Sequence, residues 1–278
     1  SIVAPSGPLT YTRASNVVTV NLGQAYNSGE EFQFTFYYHG QPITGGFQAF
    51  LFGSRLSIPV ISSLSEPYFA RTWWPCKDRP DDKADSLDIY ITCDALYYCA
   101  SNGTLINIDE EVGQRTFYYT VRYPIATYLF SIAISDYTVY VDYYYPDGAT
   151  APMEIVQHVY PDRYESFLPV FNLTDDAIGV FANLFGEYPF LNEKFGHANF
   201  QWGGAMEHQP CTSISGYGNA VWLMVHELSH QWWGDMISPV SWHDIWLNEG
   251  FASYCEALYY EATEGKASYH NYMSGMDY

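Results

Sequence analysis

His226 and His230 stand four residues apart, with Glu227 directly after the first of them. On a helix this spacing puts both imidazoles on one face, one turn above the other, so both can reach one metal ion. Zinc accepts neutral imidazole nitrogens and one carboxylate, and it keeps a fourth position for water. Glu249 offers the carboxylate after 18 intervening residues, inside Trp246-Leu247-Asn248-Glu249-Gly250. That interval lets a first helix end near Trp232-Trp233-Gly234-Asp235, turn back, and meet a second helix that presents Glu249. One zinc ion held by His226, His230 and Glu249 is the expectation, with Glu227 as general base. A carboxylate suffices for that role because zinc lowers the pKa of its water toward about 7. Glu256 follows Glu249 by seven residues on the same helical face. It either accepts a hydrogen bond from a ligand histidine or is a surface carboxylate.

The elements that must position these residues follow from pattern. Up to about residue 150 the chain reads as strands, in VVTVNL, EFQFTFYYHG, SLDIYITC, RTFYYTVRYP and YLFSIAISDYTVYVDYYY. These are β-branched and aromatic runs bounded by Gly, Pro, Asn and Asp. From about Asp162 the period changes to that of helix, with Pro169 at a helix start or kink. KFGHANFQW and MEHQPCTSI read as short strands. A helix is expected over residues 219–235, capped by Asn219 and closed near Gly234, and a second from about Ile245 through the ALYYEATEG run. The fold class is α+β, an all-β domain over residues 1–160 followed by a mainly helical one over residues 161–278.

Thirty-one acidic residues against 11 basic ones give a formal charge of -20, which disfavours nucleic acid and anionic lipid as partners. The acidity fits an extracellular or saline setting, and it fits an ordinary acidic globular protein equally. No apolar run is long enough to span a membrane, and the first ten residues lack the pattern of a signal peptide. The 27 tyrosines belong mainly on half-buried strands. Five cysteines form no dense framework, although Cys93 and Cys99 are placed to pair across a hairpin in an oxidising compartment.

With these residues in view, the chain resembles the gluzincin aminopeptidases, the family of membrane alanyl aminopeptidase. The stretch HELSHQWWGDMISPVSWHDIWLNEGFASYCEALYYE is similar to the family's zinc segment almost throughout. Gly203-Gly204-Ala205-Met206-Glu207-His208 resembles the exopeptidase motif, and LSEPYFARTWWPCKDRPDDKAD resembles a third block in the β domain. The resemblance implies a thermolysin-like catalytic domain and carboxylates that clamp the free α-amine of a peptide. Glu207 matches the glutamate of the exopeptidase motif, and Glu66 falls where the β-domain block supplies its own group to that amine. Gly204 and Ala205 would present backbone groups to the peptide. His208 stands where the family has Asn, either as a tolerated variant or as a change in the loop beside the metal. Cys76 matches a cysteine expected to serve packing. The family carries an oxyanion-stabilising tyrosine further on, and Tyr269, Tyr272 and Tyr278 do not match its motif. The chain thus reads as truncated at both ends.

The function expected is that of a zinc-dependent aminopeptidase, or its catalytic core, acting on peptides with a free N-terminus. Two alternatives are a catalytically impaired extracellular module that keeps a zinc site, and a thermolysin-like endopeptidase. The intact Glu227 speaks against the first, since a structural metal needs no base. The Met206-Glu207-His208-Gln209 block speaks against the second.

Overall fold

Alternation builds the strands of the N-terminal half. In Leu87–Asp94, Ile89 and Ile91 point inward while Asp88, Tyr90 and Thr92 point out. This strand pairs antiparallel with Gln114–Val121, placing Ile91 opposite Phe117, and Thr104–Glu111 completes a three-stranded sheet. A second sheet has the order Ala49–Arg55, Ile58–Leu64, Ile132–Ser135, Tyr98–Ser101. The two enclose a core containing Leu64, Phe117, Tyr119, Tyr128 and Leu129, which also takes in Phe200 and Met206 from later in the chain. These coordinates are a computed structural model, which describes residues 1–215 and 221–276.

Several sequence expectations are corrected here. The run Glu31–Gly40 forms only the two-residue strand Thr35–Phe36. Its aromatics Phe32, Tyr37 and Tyr38 are exposed and only Phe34 and Phe36 are half-buried, because β propensity expresses packing on a half-buried surface and most of this run has none. The hairpin of Ala49–Arg55 with Ile58–Leu64 gave no turn signal. Its central residues Leu56 and Ser57 take φ of 50° and 69°, a conformation usually signalled by Asn-Gly. The long run from Tyr128 to Tyr145 divides into Ile132–Ser135 and Thr138–Tyr144, which join different sheets. All five cysteines carry free thiols, so the pairing of Cys93 with Cys99 is not formed.

A five-stranded mixed sheet carries the site. Its order is Thr138–Tyr144, Met153–Val159, Phe195–Asn199, Cys211–Ile214, Ala205–Met206, with parallel pairing in the middle and antiparallel pairing at both margins. Two of its strands precede residue 160 and three follow it, so the change of sequence period does not coincide with a break in hydrogen bonding.

Among the described residues five α-helices follow or flank this sheet: α1 (Tyr164–Phe171), α2 (Thr174–Phe185), α3 (Val221–Ser229), α4 (Trp246–Glu264) and α5 (Lys266–Gly275). Pro169 lies inside α1, and the chain breaks between α1 and α2 at Asn172–Leu173. Helix α3 ends earlier than its apolar pattern suggests. After Ser229 the bonds tighten to Gln231 N–H on Leu228 C=O and then widen to Asp235 N–H on His230 C=O. The Asn219 cap lies outside the described residues. Helix α4 runs as expected and stops at Gly265, whose φ of 91° suits glycine. Helix α5 was not anticipated. Phe167, Val170, Ile178 and Phe181 of α1 and α2 pack with Leu223, Leu228, Trp232 and Tyr259 in one core, fixing α3 against its neighbours. Among the described residues no helix is long and apolar enough to cross a membrane.

Candidate active site

Helix α3 supplies His226 and Glu227, and His230 sits one residue past its assigned end. The His230 N–H still reaches the His226 carbonyl at 3.3 Å, so the helical turn that stacks the two rings persists. Glu249 lies in the first turn of α4. Its Oε2 is 3.2 Å from His226 Nε2 and 3.8 Å from His230 Nε2. Ligand atoms about 2.1 Å from a tetrahedral zinc stand roughly 3.4 Å from each other. The two distances bracket that value and all three donor atoms lie within 4.8 Å of one another, so the set fits the ion with small shifts.

Both rings are held so that Nε2 faces Glu249. His226 Nδ1 meets Glu256 Oε1 at 2.6 Å, and His230 Nδ1 meets the Trp233 carbonyl at 3.0 Å. Glu256 is thus buried and bonded to a histidine rather than exposed. The turn that brings the Trp233 carbonyl back needs Gly234. Its φ is 138°, and a Cβ there would approach Asn248 Nδ2 to 2.9 Å.

Three further carboxylates face the same cavity, of about 170 Å³, whose walls include Phe47, Leu64, Trp202 and Met206. Burial pushes the Glu227 carboxyl well above its ordinary range, His226 pulls it back, and Glu207 and Glu249 push it up again. Glu207 is carried up to about 7 by burial and by Glu249. Glu66 is carried to about 9 by burial, Glu207 and Glu249. Glu207 Oε1 and Glu227 Oε2 are buried without a hydrogen-bond partner. His226 is pushed down by burial, but its bonds to Glu249 and Glu256 outweigh this and raise it to about 10. His230 falls to about 4 through burial and the neighbouring His226. The site thus gathers negative charge and unpaired acceptors, a setting made for a cation.

Glu207, Glu227 and His230 form a second compact group of donor atoms that overlaps the first. The group of His226, His230 and Glu249 is the better zinc set, because it offers two oriented imidazoles and leaves Glu227 free.

The structure brings Glu66, Glu207, Glu227, His226, His230, Glu249 and Ala205 to one cavity. Gly204 differs from expectation. Its N–H donates to Ser215 Oγ and its C=O accepts from Ser215 N–H, both at 2.9 Å, so its backbone is already engaged. Ala205–Met206 is an edge strand, pairing only with Cys211–Ile214 among the described residues. Ladder alternation turns the backbone groups of Ala205 toward the open edge. His208 is fully buried and bonds Ser213 Oγ at 2.8 Å, inside the sheet and away from the cavity lining. Sequence reasoning missed Tyr128, a fully buried tyrosine whose hydroxyl accepts from Asn248 Nδ2 at 3.4 Å and draws the Glu207 carboxyl back toward its ordinary range. No local pattern distinguishes it from the other tyrosines of the chain.

Residues 8–129 match the Peptidase M1 N-terminal domain, and residues 194–277 match the Peptidase family M1 domain. Leucine aminopeptidase 2 of Chaetomium globosum is 30% identical over 211 residues, covering 73% of this chain and 33% of that protein. Glutamyl aminopeptidase of Bitis rhinoceros is 28% identical, covering 80% of this chain and 24% of that protein. An M1 zinc metallopeptidase from Deinococcus radiodurans superposes with a TM-score of 0.81 at 25% identity, over 96% of this chain and 61% of the solved one. The chain spans between 24% and 46% of the length of its curated relatives.

Proposed function

We propose that this chain, which belongs to peptidase family M1, forms the centre of a zinc-dependent aminopeptidase that removes N-terminal residues from peptides. The observation that carries the reading is the convergence of the His226, His230 and Glu249 group with Glu207, Glu66 and Glu227 on one cavity. One zinc ion held by that group would supply Lewis-acid polarisation of the scissile carbonyl and would lower the pKa of acids beside it.

The remaining chemistry belongs to the protein. Burial and Glu249 raise the proton affinity of both Glu207 and Glu66, and Glu207 adds to the rise at Glu66, so an incoming ammonium relieves the crowding of carboxylates and receives charge-assisted hydrogen bonds. A blocked N-terminus brings no such compensation and leaves buried acceptors unpaired, which is a basis for selecting free N-termini. Ala205 offers its backbone to the peptide as an added strand. Glu227 accepts a proton from the attacking water and returns it to the leaving amine. In this reading residues 1–160 contribute Glu66 and part of the cavity wall, and residues 161–278 contribute the zinc group, Glu227 and Glu207. An extracellular or secreted setting, consistent with the charge of -20, belongs to the same proposal.

The test is Glu227→Gln in the full-length protein. Zinc content and fold should persist while kcat on an alanyl anilide falls by about 10²–10⁴. A variant with full zinc and near-normal kcat would remove Glu227 from the mechanism.

A further inference from the structure

Lys83 is bonded unlike its neighbours. In the same segment Lys77 pairs with Asp82 at 2.9 Å and Arg79 with Asp81 at 2.6 Å. Lys83 Nζ instead donates to two backbone carbonyls of the catalytic half, Asp235 at 2.5 Å and Met236 at 3.1 Å, 152 and 153 residues further along the chain. Its mount in the β domain is firm. Ala84, the next residue, exchanges two backbone hydrogen bonds with Ile125, at 2.9 and 3.0 Å, and Ile125 lies in the buried core of that domain.

The two carbonyls belong to the turn that follows α3. Three wide bonds succeed one another there: Asp235 N–H to His230 C=O, Met236 N–H to Gln231 C=O, and Ile237 N–H to Trp232 C=O, at 2.9, 3.1 and 3.2 Å. The carbonyls at the end of such a run have no helical partner, and they form the negative pole of the helix. An ammonium that bonds two of them answers both conditions. Ser238 Oγ shares the Asp235 carbonyl at 3.2 Å. The wholly buried Asp235 carboxyl feels the same ammonium: burial and Glu207 push its proton affinity up, and Lys83 draws it back.

Two bonds lead from this turn to His230. The Asp235 N–H holds the His230 carbonyl at 2.9 Å, and the Trp233 carbonyl meets His230 Nδ1 at 3.0 Å. The first fixes the backbone and the second fixes the ring. We infer that Lys83 is a positioning residue for the metal group, holding from the β domain the turn that aims His230 Nε2 at Glu249. Lys83 does not line the active-site cavity, so it acts through the turn. The inference rests on the zinc group of the proposed function.

The experiment measures zinc Kd in the full-length protein by competition with a chromogenic chelator. It is paired with amide exchange by mass spectrometry on the same protein without metal. Lys83→Met keeps the stem and removes the ammonium. It should weaken zinc binding about tenfold and speed exchange at residues 235–237 several-fold, with circular dichroism unchanged. Lys83→Gln keeps amide donors without the charge, and charge-assisted bonds are about twice as strong as neutral ones, so its loss should be about threefold. Lys83→Arg should return zinc Kd to within about threefold of the parent, since it restores a charged donor. Arg79→Met, a surface change in the same segment, should leave Kd within twofold. A Kd within twofold of the parent in Lys83→Met, a loss that Lys83→Arg does not recover, or an equal loss in Arg79→Met would each overturn the inference. A parent protein that binds no zinc would sink the metal reading itself. Amide exchange tells the two failures apart, because it reads the Lys83 contact without metal.

Discussion

Glu256 is the most informative residue to perturb, because it touches the metal group only through His226. Its side chain is 4% exposed, its Oε1 is 2.6 Å from His226 Nδ1, and its Oε2 accepts from the Tyr272 hydroxyl. Solvent therefore screens the contact little. Glu256→Gln keeps an acceptor for the Nδ1 proton but removes the charge, and charge-assisted bonds are about twice as strong as neutral ones. The expected loss is about 1.4 kcal/mol, or roughly tenfold in zinc Kd. Glu256→Ala removes the acceptor as well and strands the Tyr272 hydroxyl, so the loss should approach about 100-fold. The same carboxylate also helps to hold a proton on His226, whose affinity is raised to about 10. Zinc must displace that proton, so its weakening in the variants offsets part of the loss at low pH. The gap between parent and variants should widen from pH 6.5 to pH 8.5. Competition with a chromogenic chelator, with circular dichroism as a check on folding, measures it. A Kd within twofold of the parent in both variants at both pH values would show that the Nδ1 contact does not tune the metal group.

Glu207→Ala in the full-length protein should cut kcat/KM on free N-terminal substrates by about ten- to a hundredfold while leaving zinc content unchanged. Equal damage to N-blocked peptides would argue against an ammonium contact. Tyr128→Phe removes the hydroxyl that draws the Glu207 carboxyl down, and it should raise KM for free-amine peptides several-fold with little change in zinc affinity, read from steady-state kinetics and metal titration. Acid should destabilise the fold through His158, His197 and His208, each fully buried and pushed down to about 3 by burial. Below the unfolded value near 6.5 the unfolded chain binds more protons than the folded one, so stability falls as pH drops from 6.5 toward 3. At pH 5 each histidine costs about 2 kcal/mol relative to pH 7, and urea unfolding at the two pH values should show a lower midpoint at pH 5.

The two histidines of the candidate metal group were legible in the sequence because helix geometry fixes their spacing, whereas Glu249 joins them only through the packing of α4 on α3. Residues four apart share a face whatever surrounds the helix, so His226 and His230 had to stack, and the same rule put Glu256 on the face of Glu249. Strands with clean alternation, such as Leu87–Asp94, were legible for the same local reason. The proposed amine-binding pair was suggested only by likeness to a family, since nothing local links Glu66 to Glu207. Their meeting depends on the β-domain core closing over Met206, one residue before Glu207. The Tyr128 contact with Asn248 and the Lys83 contact with the turn after α3 are assembled in the same way, from segments far apart in the chain. Tertiary context also overruled local pattern where propensity had no surface to act on, as in Glu31–Gly40, and where helix α3 gave way to wider turns after Ser229. The covalent chain sets which neighbours a side chain has within two turns or along one strand. Across longer separations only sheet register and core packing decide what a residue faces, and the chemistry of this site depends on both.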